Sequence, residues 1–530
     1  MTPTDTTELT ANNEPTANQF GETAFRFHGR SLRGIDFHPQ SPSFEGRFGR
    51  MFRTLPPATF NEEDLRKLAA AMIAAPDESA SEDEADAEEN QGIDAGYTYL
   101  GQFIDHDLTF DPASSLQKQN DPEALVNFRS PRFDLDSMYG RGPDDQPYLY
   151  EKDGLHLVLG RDLRGSLSDS HAVDLPRNTP KQEPRRALIG DPRNDENVII
   201  SQLHSIMLRF HNRVVDFLIA RSGGQKPEFA EVQKHVRWHY QWVVLHDFLP
   251  TIVGPQMINS ILPHLTSGDI YKDPPKLSFY HWRVSPFIPI EFSVAAYRFG
   301  HAMIRPDYRL NTTMTSPLKI LSNDLLSSLT GFRAFPANWA VDWRLYFNMT
   351  DNPPLTGIRR LQKSYKIDTS LVDPLGSLPD LIARDFPSLA LRNLLRGWQM
   401  SLPSGQTVAR QMQETVIPDA DLRIGKATAK DSPTNPAITS ISENFAGNAP
   451  LWFYILAEAQ QAFDGNDATP IRLGPVGGRI VAEVIIGLLL GDQYSFLSQE
   501  PSWKPFNEFM NNGNFKMADL IKVAIGTNQF

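Results

Sequence analysis

The 530-residue chain contains no cysteine. Disulfides, iron–sulfur clusters, thiolate zinc sites and cysteine nucleophiles are therefore excluded together, and a metal has only histidine, carboxylate, carbonyl oxygen or a prosthetic group to hold it. Long apolar runs are missing as well. The strongest, from Val481 to Leu490, contains Glu483 and covers only about half a bilayer, so no membrane span is expected. The opening MTPTDTTELTANNEPTANQF has neither a basic start nor an apolar centre. No secretory signal is visible there, which leaves a cytoplasmic location or export by a signal-independent route. An excess of positive charge is lacking too. Against 64 Asp and Glu stand 51 Lys and Arg, a formal net charge of −13, and no nucleic-acid partner is expected. Eight of the acids fall between Asp77 and Glu89 with no base among them, so without that stretch the charge shrinks to −5. Such a run cannot bury enough surface to offset its ordering entropy, and residues 77–90 are expected to form an acidic, flexible excursion.

Helical periodicity, by contrast, is abundant. Apolar residues recur at three- and four-residue spacings over 197–219, 229–252, 292–304, 405–415, 450–463 and 478–490, whereas alternating strand patterns are short and scattered. Proline-bearing connections such as 143–184 and 307–355 separate these segments, in keeping with 41 prolines. The expected fold is mainly α: a disordered arm over 1–20, then a single large domain, 21–530, of packed helices joined by long irregular loops with very little β structure.

Four segments concentrate chemistry. Written as a helix, YTYLGQFIDHDLTF (97–110) turns Tyr97, Leu100, Ile104 and Leu108 toward a core and aligns Gln102, Asp105, His106 and Thr109 on a second face. Asp107 then points about 100° away from His106. A buried site and a solvated helix face both fit that row. In GDPRNDE (190–196), Arg193 and Glu196 by themselves suit a surface turn. FSVAAYRFGHAMI (292–304) puts His301 in an apolar helix, where a histidine is as a rule a hydrogen-bonded core residue; small Gly300 and Ala302 would let a flat macrocycle approach. SPRFDLD (130–136) alternates oxygen-bearing side chains, a pattern that serves a hard cation or a plain Asp-rich turn.

In this order, the segments resemble the animal-type haem peroxidases of the peroxidase–cyclooxygenase superfamily, the group of myeloperoxidase, lactoperoxidase and peroxidasin. The resemblance runs over about residues 95–490 and is that of a cysteine-free, bacterial-like member. It implies haem b. His106 would be the distal base, Arg193 the distal arginine and Gln102 the halide-site glutamine. His301 would be the proximal ligand of the haem iron. In LRNLLRGWQMSLPSGQ, Asn393 and Arg396 match the proximal asparagine and a propionate-binding arginine, and Arg298 would meet a propionate as well. Asp105 and Glu196 match the carboxylates that form esters with haem methyls. A calcium ion is also implied, held by Asp107, Ser130, the Arg132 carbonyl, Asp134 and Asp136. Asn197 stands where myeloperoxidase has a sulfonium-forming methionine, so at most two links and a weaker oxidant than a chloride-oxidising enzyme are implied. Trp398 and Gln399 depart from the mammalian pattern around Asn393.

The implied activity is reduction of hydrogen peroxide with oxidation of bromide, iodide, thiocyanate or small phenolic donors, by a monomer. Two other readings compete. A fatty-acid dioxygenase on the same fold would need a radical tyrosine one turn before His301, where Arg298 stands. A haem-containing adhesion or interaction protein with vestigial activity would not need the intact set of His106, Arg193, His301 and Asn393. The remaining histidines are assigned structural roles: His235 and His239 lack the glutamate of an HExxH motif, and His204 and His211 share one helix face. Tyr280 in YHWR lies about 20 residues before His301, too far for radical chemistry at a proximal ligand.

Overall fold

A computed structural model describes residues 46–76, 86–110, 126–127, 129–179, 185–283, 285–314, 316–350, 352–380, 382–383 and 386–526. The expected arm over 1–20 and the acidic stretch 77–85 lie outside the described residues. The fold is mainly helical with short strand pairs, as expected from the periodicity. The helices that carry the site or pack around it are α1 (Glu62–Ala71), α2 (Gly96–Leu108), α3 (Val198–Arg221), α4 (Phe229–Val243), α5 (Leu389–Gln399), α6 (Gly405–Gln411), α7 (Leu451–Gln460), α8 (Pro475–Gly491) and α9 (Met517–Ile525).

Local chemistry explains where these helices begin. The Asn197 carboxamide accepts the N–H groups of Ile199 and Ile200 and so caps α3. Ser388 and Ser404 cap α5 and α6 in the same way. Helix α2 lacks a side-chain cap; instead the Gly96 N–H donates to the Tyr346 carbonyl. The Phe347 ring presses on Gly96 so closely that a Cβ there would collide with it. Helix α3 packs on α2, α4 and α9, and α1 packs on α5. Helix α8 carries the strongest apolar run and is buried nearly all round, so it is a core helix. Among the described residues, no helix is long and apolar enough to cross a membrane.

Strand pairing is sparse. β1 (Gly46–Gly49) lies between β3 (Val126–Asn127), antiparallel, and β4 (Ile288–Pro289), parallel, with Phe48 opposite Ile288. β2 (Glu89–Asp94) pairs antiparallel with β7 (Lys363–Tyr365), and β5 (Asp307–Tyr308) with β6 (Leu318–Lys319).

Two expectations are corrected. The flexible excursion does not extend to residue 90: Glu89 and Asn90 are fully buried. Glu89 pairs with Arg305 and Arg360 at 2.7 Å, and the Asn90 amide donates to the Ile471 carbonyl at 2.7 Å. Charge neutralised by two guanidiniums can be buried, which a count of acids along the chain cannot reveal. The segment 292–304 is also not a regular α-helix. It winds wide over Glu291–Ala295 and tight over Ala296–His301, because side chains capture its carbonyls: Arg298 Nε donates to Ser293 at 2.8 Å, and Trp452 Nε1 donates to Arg298 at 3.2 Å.

Candidate active site

Helix α2, the turn before α3, the distorted 291–301 segment and α5 converge on a cavity of about 510 Å³. Gln102, Asp105, His106, Arg193, Glu196, Arg298, His301, Asn393 and Arg396 all line it. They come from four separate stretches of chain.

On the α2 side, His106 is buried and its Nδ1 lies 2.7 Å from Asn194 Oδ1. Asn194 Nδ2 lies in turn 2.9 Å from His204 Nδ1. Burial, and then the Arg193 charge, pull the His106 pKa down to about 4. The Arg193 guanidinium is itself fixed. It pairs with Asp191 at 2.7 Å, donates to the carbonyls of His106 and Thr109, and lies 4.6 Å from the Phe110 ring centroid. Although burial opposes it, the Arg193 hydrogen bond and charge hold the Asp191 carboxyl far below the usual range. Gln102 bridges its neighbours: Nε2 donates to Glu196 at 3.4 Å, and Oε1 accepts from Asn197 at 3.3 Å. Burial pushes the Glu196 carboxyl up to about 7. Asp105 accepts from the Thr109 hydroxyl at 3.0 Å.

On the α5 side, Asn393 Nδ2 lies 2.8 Å from His301 Nδ1. Burial, and then Arg298, depress the His301 pKa to about 3. The helical repeat brings Arg392, Asn393 and Arg396 to the same cavity wall.

Asp107 points away from the cavity, toward the loop 130–136. One oxygen each of Asp107, Asp134 and Asp136 falls within 4.8 Å of the others. Ser130 Oγ donates to Asp134 at 2.6 Å, and the Leu135 N–H to Asp107 at 3.3 Å. Leu135 takes a positive φ of 58°, which folds the loop back on itself. Burial, then Asp134 and Asp136, push the Asp107 carboxyl well above its ordinary range. The Arg132 side chain leaves this group for Asp492, at 3.6 Å. Arg129 bonds both Asp136, at 3.2 Å, and Asp191, at 2.8 Å, and so ties the loop to the partner of Arg193.

Sequence reasoning missed Asn194, Asp191 and Arg392. Asn194 carries no signal until His106 and His204 are folded against it; Arg392 does, one turn before Arg396. Two further histidines bond to groups away from the cavity. His211 bonds the Tyr139 hydroxyl and the Leu155 carbonyl; His239 bonds the His235 carbonyl and the Phe506 N–H.

The mainly helical fold is shared with solved structures. Peroxidase A from Dictyostelium discoideum has this architecture, with a TM-score of 0.60 over 93% of this chain and 96% of its own at 16% identity. A fatty acid alpha-dioxygenase from Oryza sativa gives 0.51, over 89% and 79%, at 15% identity. The family model for animal haem peroxidase matches residues 112–335. Peroxidasin of Drosophila melanogaster is 26% identical over 286 residues, 52% of this chain and 17% of its own length. Thyroid peroxidase of Rattus norvegicus is 25% identical over 390 residues, 70% of this chain and 39% of its own. In sequence the chain is thus similar to the animal haem peroxidases over residues 112–335 and to these two relatives over 286 and 390 residues. Its match spans well under half the length of these two relatives.

Proposed function

We propose that the protein is a peroxidase that binds haem b, reduces hydrogen peroxide and oxidises a small donor. The observation that carries this reading is the meeting, in one cavity, of two histidines with different partners: His106 beside Arg193, and His301 backed by Asn393.

The residues present suit a haem. A Cβ built on Gly300, next to His301, would meet nothing within 4 Å, so a flat group has room there. Arg298 and Arg396 supply positive charge for propionates, and Asp105 and Glu196 supply carboxyls for ester links. Haem, when bound, supplies the redox chemistry with peroxide. His301 would hold the iron through Nε2, which requires the ring proton on Nδ1. Asn393 stands 2.8 Å from that atom through Nδ2, and its amide would have to present Oδ1 instead to accept the Nδ1 proton of an iron-holding His301.

His106 donates its Nδ1 proton to Asn194, which leaves the Nε2 lone pair to take a proton from peroxide and return it to the departing oxygen. With its pKa near 4, the ring is neutral at pH 7, the form a base needs. Arg193, immobilised by Asp191, provides fixed positive charge where negative charge develops. Gln102 sits one turn before His106 and lines the cavity, in keeping with bromide, iodide or thiocyanate as donors; phenols are the alternative. Asp107, Asp134 and Asp136, with Ser130, offer oxygen ligands to a calcium ion.

The test is spectroscopic and kinetic. Purified protein should carry a Soret band and oxidise a phenolic dye or bromide only with peroxide. His106→Ala should slow the reaction with peroxide by about 10²–10⁴-fold. Failure to take up haem, or wild-type rates in that variant, would overturn the reading.

A further inference from the structure

A second cavity, of about 610 Å³, shares Phe48 with the first. Two loops, one of residues 47–54 and one of residues 278–283 and 285–287, form its sides. Each loop is fastened by a buried carboxylate. Glu291 accepts the N–H groups of Met51 and Phe52 at 2.9 and 3.1 Å. Glu483, from α8, accepts those of Ser278, Phe279 and Tyr280 at 3.0, 2.7 and 3.0 Å. Two rings of the wall rest against glycine backbone. A Cβ on Gly49 would stand 2.6 Å from the Phe287 ring, and one on Gly491 would stand 2.9 Å from Trp282. The Tyr280 hydroxyl donates to the Phe287 carbonyl at 2.7 Å and accepts its N–H at 3.1 Å. The walls are thus held in place before any ligand arrives, which lowers the ordering cost of binding.

The lining is one-sided in charge. Arg47, Arg50, Arg53 and Arg283 line this cavity, and among the described residues no Asp or Glu does. Four guanidiniums gathered without a lining acid among the described residues stand out in a chain of net charge −13. Glu291 and Glu483 are themselves fully buried and engaged with backbone N–H groups. Arg50 donates to the carbonyls of Met400 and Ser401 at 2.8 and 3.0 Å, and Met400 lines the first cavity. Arg53 lies 5.9 Å from the Phe287 ring centroid. Guanidinium forks match planar carboxylates, and aromatic walls match a flat ring.

We propose that this second cavity binds an aromatic carboxylate, an anion of the benzoate or hydroxycinnamate kind. Its carboxylate meets the arginines and its ring meets Trp282 and Phe287. Binding of this kind requires no peroxidase chemistry in the first cavity.

Equilibrium dialysis of the whole chain against 4-hydroxycinnamate, its methyl ester and hexanoate tests it. The aromatic acid should bind at least about tenfold more tightly than either control, and the double variant Arg53→Gln, Arg283→Gln should lose that preference. Both arginines are exposed, so an unchanged far-ultraviolet circular dichroism spectrum is expected of the variant. Equal binding of the ester, equal binding of hexanoate, or undiminished binding of the acid by the double variant would each overturn the proposal.

Discussion

His106 Nδ1 and Asn194 Oδ1 stand 2.7 Å apart, and the other end of the same amide reaches His204 Nδ1 at 2.9 Å. An amide oxygen only accepts and an amide nitrogen only donates, so this one side chain dictates the tautomers of two rings. His106 carries its proton on Nδ1, and His204 accepts at Nδ1. Burial holds the His204 pKa down to about 3, so it stays neutral and cannot return a proton to the amide. Asn194 is therefore a positioning residue for the base. Replacing it by Leu, of similar volume, should leave haem binding intact but slow the reaction with peroxide by about 10–100-fold, a fraction of the full effect of a general base. Nitrogen-15 shifts of the histidine rings in the apoprotein check the cause. They should report one His106 tautomer in the wild type and a mixture in Asn194→Leu; a single tautomer in both would remove Asn194 from the mechanism.

Glu196 makes folding sensitive to pH. Burial raises its carboxyl from 4.5 to about 7. Between those values the folded chain keeps a proton that the unfolded chain has lost, so this contribution to stability is full below pH 4.5 and falls as pH rises through 7. Each pKa unit is worth about 1.4 kcal/mol, which sets an upper bound of roughly 3.5 kcal/mol for a group at a cavity wall. Urea unfolding of the apoprotein at pH 5 and pH 8 should show the loss, and Glu196→Gln should flatten it. Equal slopes in both proteins would assign the pH dependence elsewhere.

The proposed ester links at Asp105 and Glu196 predict how haem is retained. Acid–acetone should fail to extract haem from the mature protein, and should free it fully from Asp105→Asn, Glu196→Gln. Complete extraction from the unaltered protein would eliminate the ester links without touching the peroxidase reading.

Asp107 follows His106 directly in α2, so whatever holds Asp107 also sets the register of the base. Three converging carboxylates, one fully buried, repel one another without a cation among them. Calcium should raise the unfolding temperature, by mass action on the folded state alone. Chelation should lower that temperature and slow the reaction with peroxide together, and Asp134→Ala should abolish both responses to added calcium. A chelator that left both properties unchanged would argue for a plain acidic turn.

Much of the site is legible in the sequence, because its chemistry sits in short contiguous motifs. The 97–110 pattern places Gln102, Asp105 and His106 on one face, and α2 does present all three to the cavity. Helices α3, α7 and α8 follow their apolar periodicity to within a few residues. What stays hidden depends on partners distant in the chain. His301 ends a distorted turn whose Arg298 carbonyl accepts from Trp452, about 150 residues on. Asn197 looks like a lost sulfonium donor in sequence; folded, it is the cap of α3 and a partner of Gln102. Helices α1 and α9 escape a periodicity search because each is short and finds its apolar partner far away, in α5 and α3.

Glu89 provides the sharpest test of how the acidic run ends. It terminates a stretch that composition alone assigns to solvent, yet it is fully buried, with Arg305 and Arg360 both 2.7 Å from Oε1. Arg305 also donates to the Lys363 carbonyl of β7, so the triad links β2 to β7 and to the chain just beyond His301. Removing one member of a buried charge group leaves the others uncompensated, a loss of about 3–5 kcal/mol. Glu89→Gln, which keeps the shape and deletes the charge, should therefore lower stability by roughly that amount in denaturant unfolding. Glu500→Gln, at an exposed acid elsewhere in the chain, serves as the control and should change stability by less than about 0.5 kcal/mol. Comparable losses from both substitutions would point to the chain's total charge, and an unchanged stability in Glu89→Gln would rule out the buried triad as a fastening of the fold.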